Sequence, residues 1–493
     1  MKALLIYPLL SKKRAKVDEN KQFWPPLGLA YIAAALEGAG HEVRIIDRDV
    51  VLRKNGLDFE RADEVTVGEI REFKPDTIGI SATTPNMADV GYLAKRLKAD
   101  MPHVPIILGG PHATAIPEET LGEFLSVDMA VIGEGEETIL DIVNGTRPEE
   151  IKGIAFRKEG RVVVTPTRPQ REDLDSLPFP AHHLLDMEFY LRPSRFTSRN
   201  LSLRTTSIFT ARGCPYRCNF CAGPVVFPGK VRFHSTGRVM AEIDHLVEKY
   251  GVEALYFAED MFLSSKKRAT ELLEEFAKRP WSKRLKWFAQ ARVNVIDNDI
   301  LELMKRTGCV GVEYGFESGS QRMLERMNKV AKVEENVRAV ALTRNARMRF
   351  QANIIVGYTG ETKEDFEETI RFLEKTKPNN IGFNVFMPLP GTAAYKRLKE
   401  EKKPLPPWDE IGDPEMSSVS YASMSKEDFE RLYLEARFRV ILPTNLKNFI
   451  ADNINNPFRL ALLLATQFWG TGKKAVNAFF RLRKLKATDG TGH

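Results

Sequence analysis

Cysteine is scarce in this chain. There are four in 493 residues, and three of them, Cys214, Cys218 and Cys221, stand within one eight-residue stretch. A disulfide framework would spread an even set through a small secreted chain, so that class is excluded and the tight cluster points to metal. Long apolar runs are also missing: none approaches the length that spans a bilayer. The opening MKALLIYPLL is too short for a secretory h-region, runs into the charged stretch 12–16, and has no small-residue cleavage pattern. It reads as a first β-strand, and the chain is expected in the cytoplasm. No G-x-G-x-x-G follows that strand, which disfavours a dinucleotide. Internal repeats and low-complexity tracts are absent. No recognised nucleic-acid-binding module accompanies the basic charge, so nucleic acid is not expected as a partner.

What is present is the composition of an ordinary globular protein, 43% hydrophobic and 28% charged. The length suggests two or three domains. A net charge of +7 and a pI near 9.0 are compatible with acidic partners, a membrane surface or nucleic acid and choose none of them.

The fold class is α/β. Strands over 2–7, 42–46, 77–81, 105–108 and 129–132 alternate with helices over 28–39, 86–99 and 136–143. This pattern predicts a Rossmann-like, doubly wound parallel sheet across residues 1–145. Ligands in such sheets sit beyond the carboxyl ends of the strands. The loops there carry Pro26, Leu27 and Gly28; Ser81, Thr83 and Thr84; Gly109, Gly110 and His112; and Gly133, Glu134, Gly135 and Glu136. Glycines let a backbone approach a ligand, and hydroxyls supply compact polar contacts. One such loop is ordinary turn chemistry, but four at one edge point to a large ligand.

Residues 146–205 read as a linker, with a small hairpin over 153–157 and 161–165 followed by a proline-rich charged stretch. A second alternating unit, 206–400, has strands over 207–211, 254–258, 286–291, 310–316, 350–356 and 381–386. Helices at 239–249, 265–278 and 363–376 fill gaps between them. Six strand–helix units suit a partial β/α barrel of TIM type, whose catalytic groups lie at the strand carboxyl ends. The first strand of this unit runs straight into the cysteines.

A cubane of four irons usually takes four thiolates. Three in one loop leave an iron without a protein ligand, open to a substrate or cofactor. Zinc is the rival reading, but structural zinc wants four ligands, commonly from two knuckles. No second pair exists here, although His234 could in principle complete a set.

The stretch Ala211-Arg212-Gly213-Cys214 through Cys221 resembles the signature of the radical S-adenosylmethionine superfamily. The resemblance implies that Cys214, Cys218 and Cys221 hold a 4Fe–4S cluster. Its open iron would chelate S-adenosylmethionine, and reduction would yield a 5′-deoxyadenosyl radical. It further implies that Phe220 packs near the adenine and that Glu259 and Asp260 stand where the methionine amino group is held. Gln290, Arg292, Glu317, Ser318 and Gly357 are further candidate contacts, with Glu317 and Ser318 favoured for ribose or carboxylate. Each of these has a bland alternative as a solvated, capping or salt-bridged loop residue.

The front half is similar to the cobalamin-binding domain of the cobalamin-dependent branch, through its Pro-Pro-Leu-Gly-Leu-Ala, Gly-Gly-Pro-His-Ala-Thr and Gly-Glu-Gly-Glu-Glu-Thr runs and the Leu174–Pro178 stretch. The likeness covers residues 1 to about 400. The Asp-x-His-x-x-Gly signature is missing, so cobalamin is expected without a lower histidine ligand. The four loops would then bind cobalamin, and His112 would either contact the corrin edge or pack locally.

The branch implies methylation of a carbon or phosphorus centre of a small-molecule or lipid-like substrate. Oxidative cyclisation or ring rearrangement is the enzymatic alternative, and a non-catalytic corrinoid- or cluster-dependent sensor is the alternative of another class. An electron donor such as flavodoxin or ferredoxin is implied as a partner. Cys309, at a strand's start, reads as a small buried hydrophobe, with a catalytic hydrogen donor as its alternative. Tyr216, Tyr314 and Tyr358 read as packing residues, with radical or proton relay as the alternative. The region 401–493 is expected to be mostly helical. Its segments 457–469 and 473–485 mix Phe, Leu and Trp with Arg459, Lys473, Lys474, Arg481, Arg483, Lys484 and Lys486. That mixture suits either a helical cap or peripheral contact with an anionic membrane.

Overall fold

The computed structural model describes residues 1–10, 23–193, 203–411 and 419–453. A seven-stranded sheet organises the first unit. β1 (Lys2–Tyr7), β2 (Glu42–Asp47), β3 (Thr77–Ser81), β4 (Ile106–Gly109) and β5 (Met129–Val131) run parallel in the order β2-β1-β3-β4-β5. The run Ala3–Ile6 is apolar throughout, and all four side chains are buried, as a strand covered on both faces requires. Separate apolar clusters lie on the two faces, one around Leu4, Ile78 and Leu93, the other around Leu5, Leu29 and Ile107.

Two features of this unit differ from the sequence reading. The hairpin β6 (Ile154–Lys158) and β7 (Arg161–Val164) does not stand apart as a connector. It extends the sheet, β6 pairing antiparallel with β5. Between β2 and β3 the chain forms two helices, Arg48–Lys54 and Phe59–Phe73, each capped by an aspartate at its start, Asp47 and Asp58.

The second sheet has six parallel strands in the order β15-β14-β13-β12-β11-β8: β8 (Thr205–Ile208), β11 (Ala254–Phe257), β12 (Lys286–Ala291), β13 (Cys309–Glu317), β14 (Phe350–Val356) and β15 (Asn380–Val385). The stretch expected as one strand over 207–211 is broken. After β8 comes a separate β9 (Ala211–Arg212), which pairs antiparallel with β10 (Arg232–Phe233). The helices Thr236–Tyr250, Lys266–Ala277, Asn298–Arg306, Val333–Asn345 and Lys363–Thr376 pack outside. Period-2 alternation sorts β13: Val312, Tyr314 and Phe316 join the core cluster, while Glu313, Gly315 and Glu317 point the other way.

At the C-terminal side, helix Lys426–Ala436 leads through a π-helical segment, Arg437–Ile441, into helix Leu442–Asn453. The basic segments 457–469 and 473–485 lie outside the described residues. Among the described residues no helix is long and apolar enough to cross a membrane.

Candidate functional site

The carboxyl ends of the two sheets face one cavity. Its empty volume is about 1290 Å³, counting the part open to solvent. From the first unit it is lined by Gly28, Ser81, Gly109, Gly110, Gly133 and Gly135, and from the second by Phe209, Ala211, Arg212, Gly213, Phe227, Glu259 and Asp260. The cavity sits over the boundary between β1 and β3, where the strand order reverses, the expected place for a ligand in a doubly wound sheet. Gly110 shows why a side chain is not tolerated in this lining. Its φ is +95°, and an added Cβ would stand 2.7 Å from the carbonyl oxygen of Ala82.

The four loops divide into residues that reach the cavity and residues that do not. Ser81 and the glycines reach the cavity, as do Glu134 and Glu136. Pro26, Leu27, Thr83, Thr84 and His112 are not among its lining residues. Thr83 is engaged in a local capping box with Asn86, its hydroxyl 2.6 Å from Asn86 Oδ1. His112 is buried, with Nδ1 3.1 Å from Thr84 Oγ1 and its ring edge-on to Trp408 at 5.2 Å. Burial pushes the imidazole down to about 4. The contacts of His112 among the described residues are with Thr84 and Trp408.

Glu134 and Glu136 are paired within the protein. Arg212 donates to both, at 2.8 and 2.5 Å, and Arg232 donates to Glu134 at 2.8 Å. Burial alone would raise the Glu134 carboxyl, but hydrogen bonds and charge from Arg232 and Arg212 hold it below the usual carboxylate range.

The cysteine loop adjoins the cavity. Cys214, Cys218 and Cys221 are free thiols, half-buried. The backbone N–H of Gly223 donates to Cys221 Sγ at 3.3 Å, and Arg292 Nη1 approaches Cys218 Sγ at 3.9 Å. Burial pushes the Cys221 thiol up to about 11, against the lowering effect of the Gly223 hydrogen bond. Among the described residues no three His, Cys, Asp or Glu side chains converge as they would around a single ion. A cubane places its thiolates on separate irons, and the donor set here, three thiols on one loop beside a cation and an N–H, suits it chemically.

Asp260 stands beside this loop. A Cβ on Gly223 would lie 3.2 Å from Asp260 Oδ2 and 3.4 Å from Cys221 Sγ. Burial raises the Asp260 carboxyl. Glu259 is buried and accepts from Thr210 Oγ1 at 2.7 Å; burial pushes it up against that hydrogen bond. The Arg292 guanidinium lies 3.5 Å over the Tyr216 ring and donates to the carbonyl of Val330 at 2.7 Å. Phe220 packs against the cluster of Tyr358, Phe386 and Met327. Glu317, at φ +62°, pairs with Lys329 at 2.7 Å.

Several other candidate residues have local partners. Ser318 is fully buried against helix Lys363–Thr376, 3.0 Å from Thr369 Oγ1. Gly357 faces helix Lys426–Ala436, where an added Cβ would stand 2.8 Å from Phe429, and its N–H is taken by Glu361. Tyr314 bonds Thr343 at 2.7 Å on the helix side of the sheet, and Cys309 is buried at the amino end of β13, away from the carboxyl ends. The outward register of Tyr314 and the amino-end position of Cys309 keep both from the candidate site. Gln290 turns inward and donates to Tyr256 OH at 2.9 Å. Sequence reasoning assigned no role to Trp24. Its ring reaches from the first unit to Tyr256 at 5.3 Å and Phe288 at 6.4 Å, two inward residues of the second.

Comparison with known proteins follows this division. Residues 14–143 match the B12 binding domain model and residues 208–373 match the Radical SAM superfamily model. An uncharacterised methyltransferase of Pyrococcus horikoshii is 32% identical over 404 residues, spanning 80% of this chain and 83% of that one. The anaerobic magnesium-protoporphyrin IX monomethyl ester cyclase of Cereibacter sphaeroides is 29% identical over 415 residues, 81% of this chain and 64% of that protein. Among solved structures, the radical S-adenosylmethionine methyltransferase TsrM from Kitasatospora setae, with tryptophan substrate and an S-adenosylmethionine analogue bound, superposes with a TM-score of 0.66. It is 20% identical and covers 81% of this chain and 76% of its own, a likeness of fold. With two cofactor-type units in this order and a relative matched over four-fifths of both chains, the protein belongs to the cobalamin-binding radical S-adenosylmethionine enzymes.

Proposed function

We propose that this enzyme is a methyltransferase acting on an unactivated carbon or phosphorus centre of a small-molecule or lipid-like substrate. One observation carries the reading. The glycine-lined cavity of the first unit reaches Gly213, the neighbour of Cys214, in the second, and Asp260 both lines the cavity and stands beside Cys221. Two cofactors held on either side of that wall would act on one substrate.

When bound, the cofactors supply the difficult chemistry, a cobalt-borne methyl group and an adenosyl radical. The chain's own residues position them. Cys214, Cys218 and Cys221 anchor the cluster, and Arg292 offsets thiolate charge at Cys218. Asp260 and Glu259 offer acceptors to an ammonium group, Phe220 offers an apolar face, and the Glu317–Lys329 pair presents buried polar groups. Gly28, Ser81, Gly109, Gly110, Gly133 and Gly135 would hold cobalamin and bring backbone close to it. Trp24, Tyr256 and Phe288 form an apolar wall suited to a carbon skeleton. A low-potential reductant such as flavodoxin or ferredoxin would supply electrons, and the cytosol, with or without contact at a membrane surface, is the proposed location.

The likeness to a ring-forming cyclase keeps oxidative cyclisation as the second reading. Anaerobic incubation of reconstituted enzyme with S-adenosylmethionine, reductant and hydroxocobalamin, followed by mass spectrometry, separates the cases. Methylcobalamin, S-adenosylhomocysteine and 5′-deoxyadenosine together are expected for methyl transfer. 5′-Deoxyadenosine alone would overturn methyl transfer in favour of cyclisation or rearrangement. None of the three, with an intact cluster, would leave a sensor.

A further inference from the structure

We infer that Arg212 is a positioning residue that couples occupancy of the cobalamin cavity to occupancy of the cysteine loop, a role that rests on the cofactor reading above. Four charged side chains meet between the two units. Arg212 Nη1 donates to Glu134 at 2.8 Å and Nη2 to Glu136 at 2.5 Å. Arg232 Nη1 donates to both oxygens of Glu134, at 2.9 and 2.8 Å. The side chains are 10% exposed for Arg212 and Glu134, 9% for Glu136 and 2% for Arg232. Two positive and two negative charges balance, as buried charges must. The linker joins in: the backbone N–H of Arg171 donates to Glu134 at 3.0 Å, and its carbonyl accepts from Arg232 at 2.7 Å.

The position of this network gives it reach. Glu134 and Glu136 alternate with Gly133 and Gly135, whose backbone lines the cavity. Arg212 is separated from Cys214 by Gly213 alone. Arg212 sits in β9, which pairs antiparallel with β10 and sets Arg212 opposite Arg232, so the strand that leads into Cys214 is tied to the second arginine of the network. A ligand that shifts the Gly133–Glu136 loop therefore moves Arg212, and Arg212 moves the first thiol. Separating a buried ion pair strands an uncompensated charge, so the group moves together. The effect is reciprocal, because linkage between two binding sites has one coupling free energy.

Optical titration of the anaerobic full-length protein with hydroxocobalamin, before and after cluster reconstitution, reads this coupling. Cluster loading is expected to tighten hydroxocobalamin binding about tenfold in the wild type, within the usual range for coupled sites. In R212Q/E136Q, which keeps the buried charge balanced, the two affinities should coincide. A purely structural role would weaken binding equally in both states and leave their ratio unchanged, and that outcome overturns the inference. So does a wild-type ratio of one. Arg212→Lys keeps the charge but not the planar fork and serves if the double variant does not fold. Its ratio should fall severalfold, and an unchanged ratio again overturns the coupling. Binding without coupling sinks this inference only, whereas no hydroxocobalamin binding in either state sinks the proposed function with it.

Discussion

Glu361 illustrates how a single buried group gains a pH signature. It lies just after β14, its carboxyl accepts from the N–H of Gly357, and one of its oxygens is buried without a partner. Burial pushes its carboxyl up to about 8. A raised folded-state value means that the neutral form is the one the fold accommodates. Its full stability contribution is present below the ordinary carboxylate range and is lost as pH rises through about 8. Chemical denaturation at pH 5 and pH 8 should show the wild type losing stability relative to Glu361→Gln across that interval. A constant difference between the two proteins would refute the assignment. At the same scale, residues with identical sequence credentials separate only in the structure. Asp260 reaches the cysteine loop, whereas Ser318 is spent on Thr369 and His112 on Thr84. Nothing local marks which side of a loop a hydroxyl or imidazole will face, because the partner is far away in the chain.

Elements were the most legible level. The apolar run of β1 and the alternation in β13 carry their period in the residues themselves, and helix Lys363–Thr376 announces its start through the Thr362–Asp365 capping box. The helices Arg48–Lys54 and Phe59–Phe73 went unread. Phe59–Phe73 has only five buried residues among fifteen, and charges fill much of the rest. Turns at the sheet edge are where an element can be tested. Gly110→Ala would place a methyl 2.7 Å from one backbone atom of Ala82 and 2.9 Å from another, at a φ that favours glycine. Strained backbone of this kind costs on the order of 1–3 kcal/mol. The expected result is a loss of that size in urea denaturation, with weakened hydroxocobalamin binding, while Gly122→Ala, where nothing lies within 4 Å, should spare binding. Equal effects of both substitutions would contradict the role given to the Gly110 loop.

For the whole molecule, the contacts between units are of two kinds, and their worth should differ. Lys399 and Glu119 pair at 2.6 Å with side chains 53% and 46% exposed. An exposed pair of this sort contributes about 0–1 kcal/mol. Arg232 is 2% exposed and holds Glu134. Arg232→Ala would leave Arg212 alone against the two buried carboxylates Glu134 and Glu136 and should cost about 3–5 kcal/mol, against under about 1 kcal/mol for Lys399→Ala. Denaturation of the two variants decides this, and comparable losses would show that the buried network is not what holds the units in register. The sequence by itself determined the cofactor class and the two α/β units. Cysteine spacing, glycine placement and hydrophobic period are local properties that a chain carries wherever it folds. Only the tertiary structure decided that Glu134 and Glu136 turn to Arg212, that Trp24 reaches the inner strands of the second unit, and that Tyr314 turns away from the mouth. Those outcomes depend on which surfaces meet across tens to hundreds of residues, and burial and charge pairing settle them together.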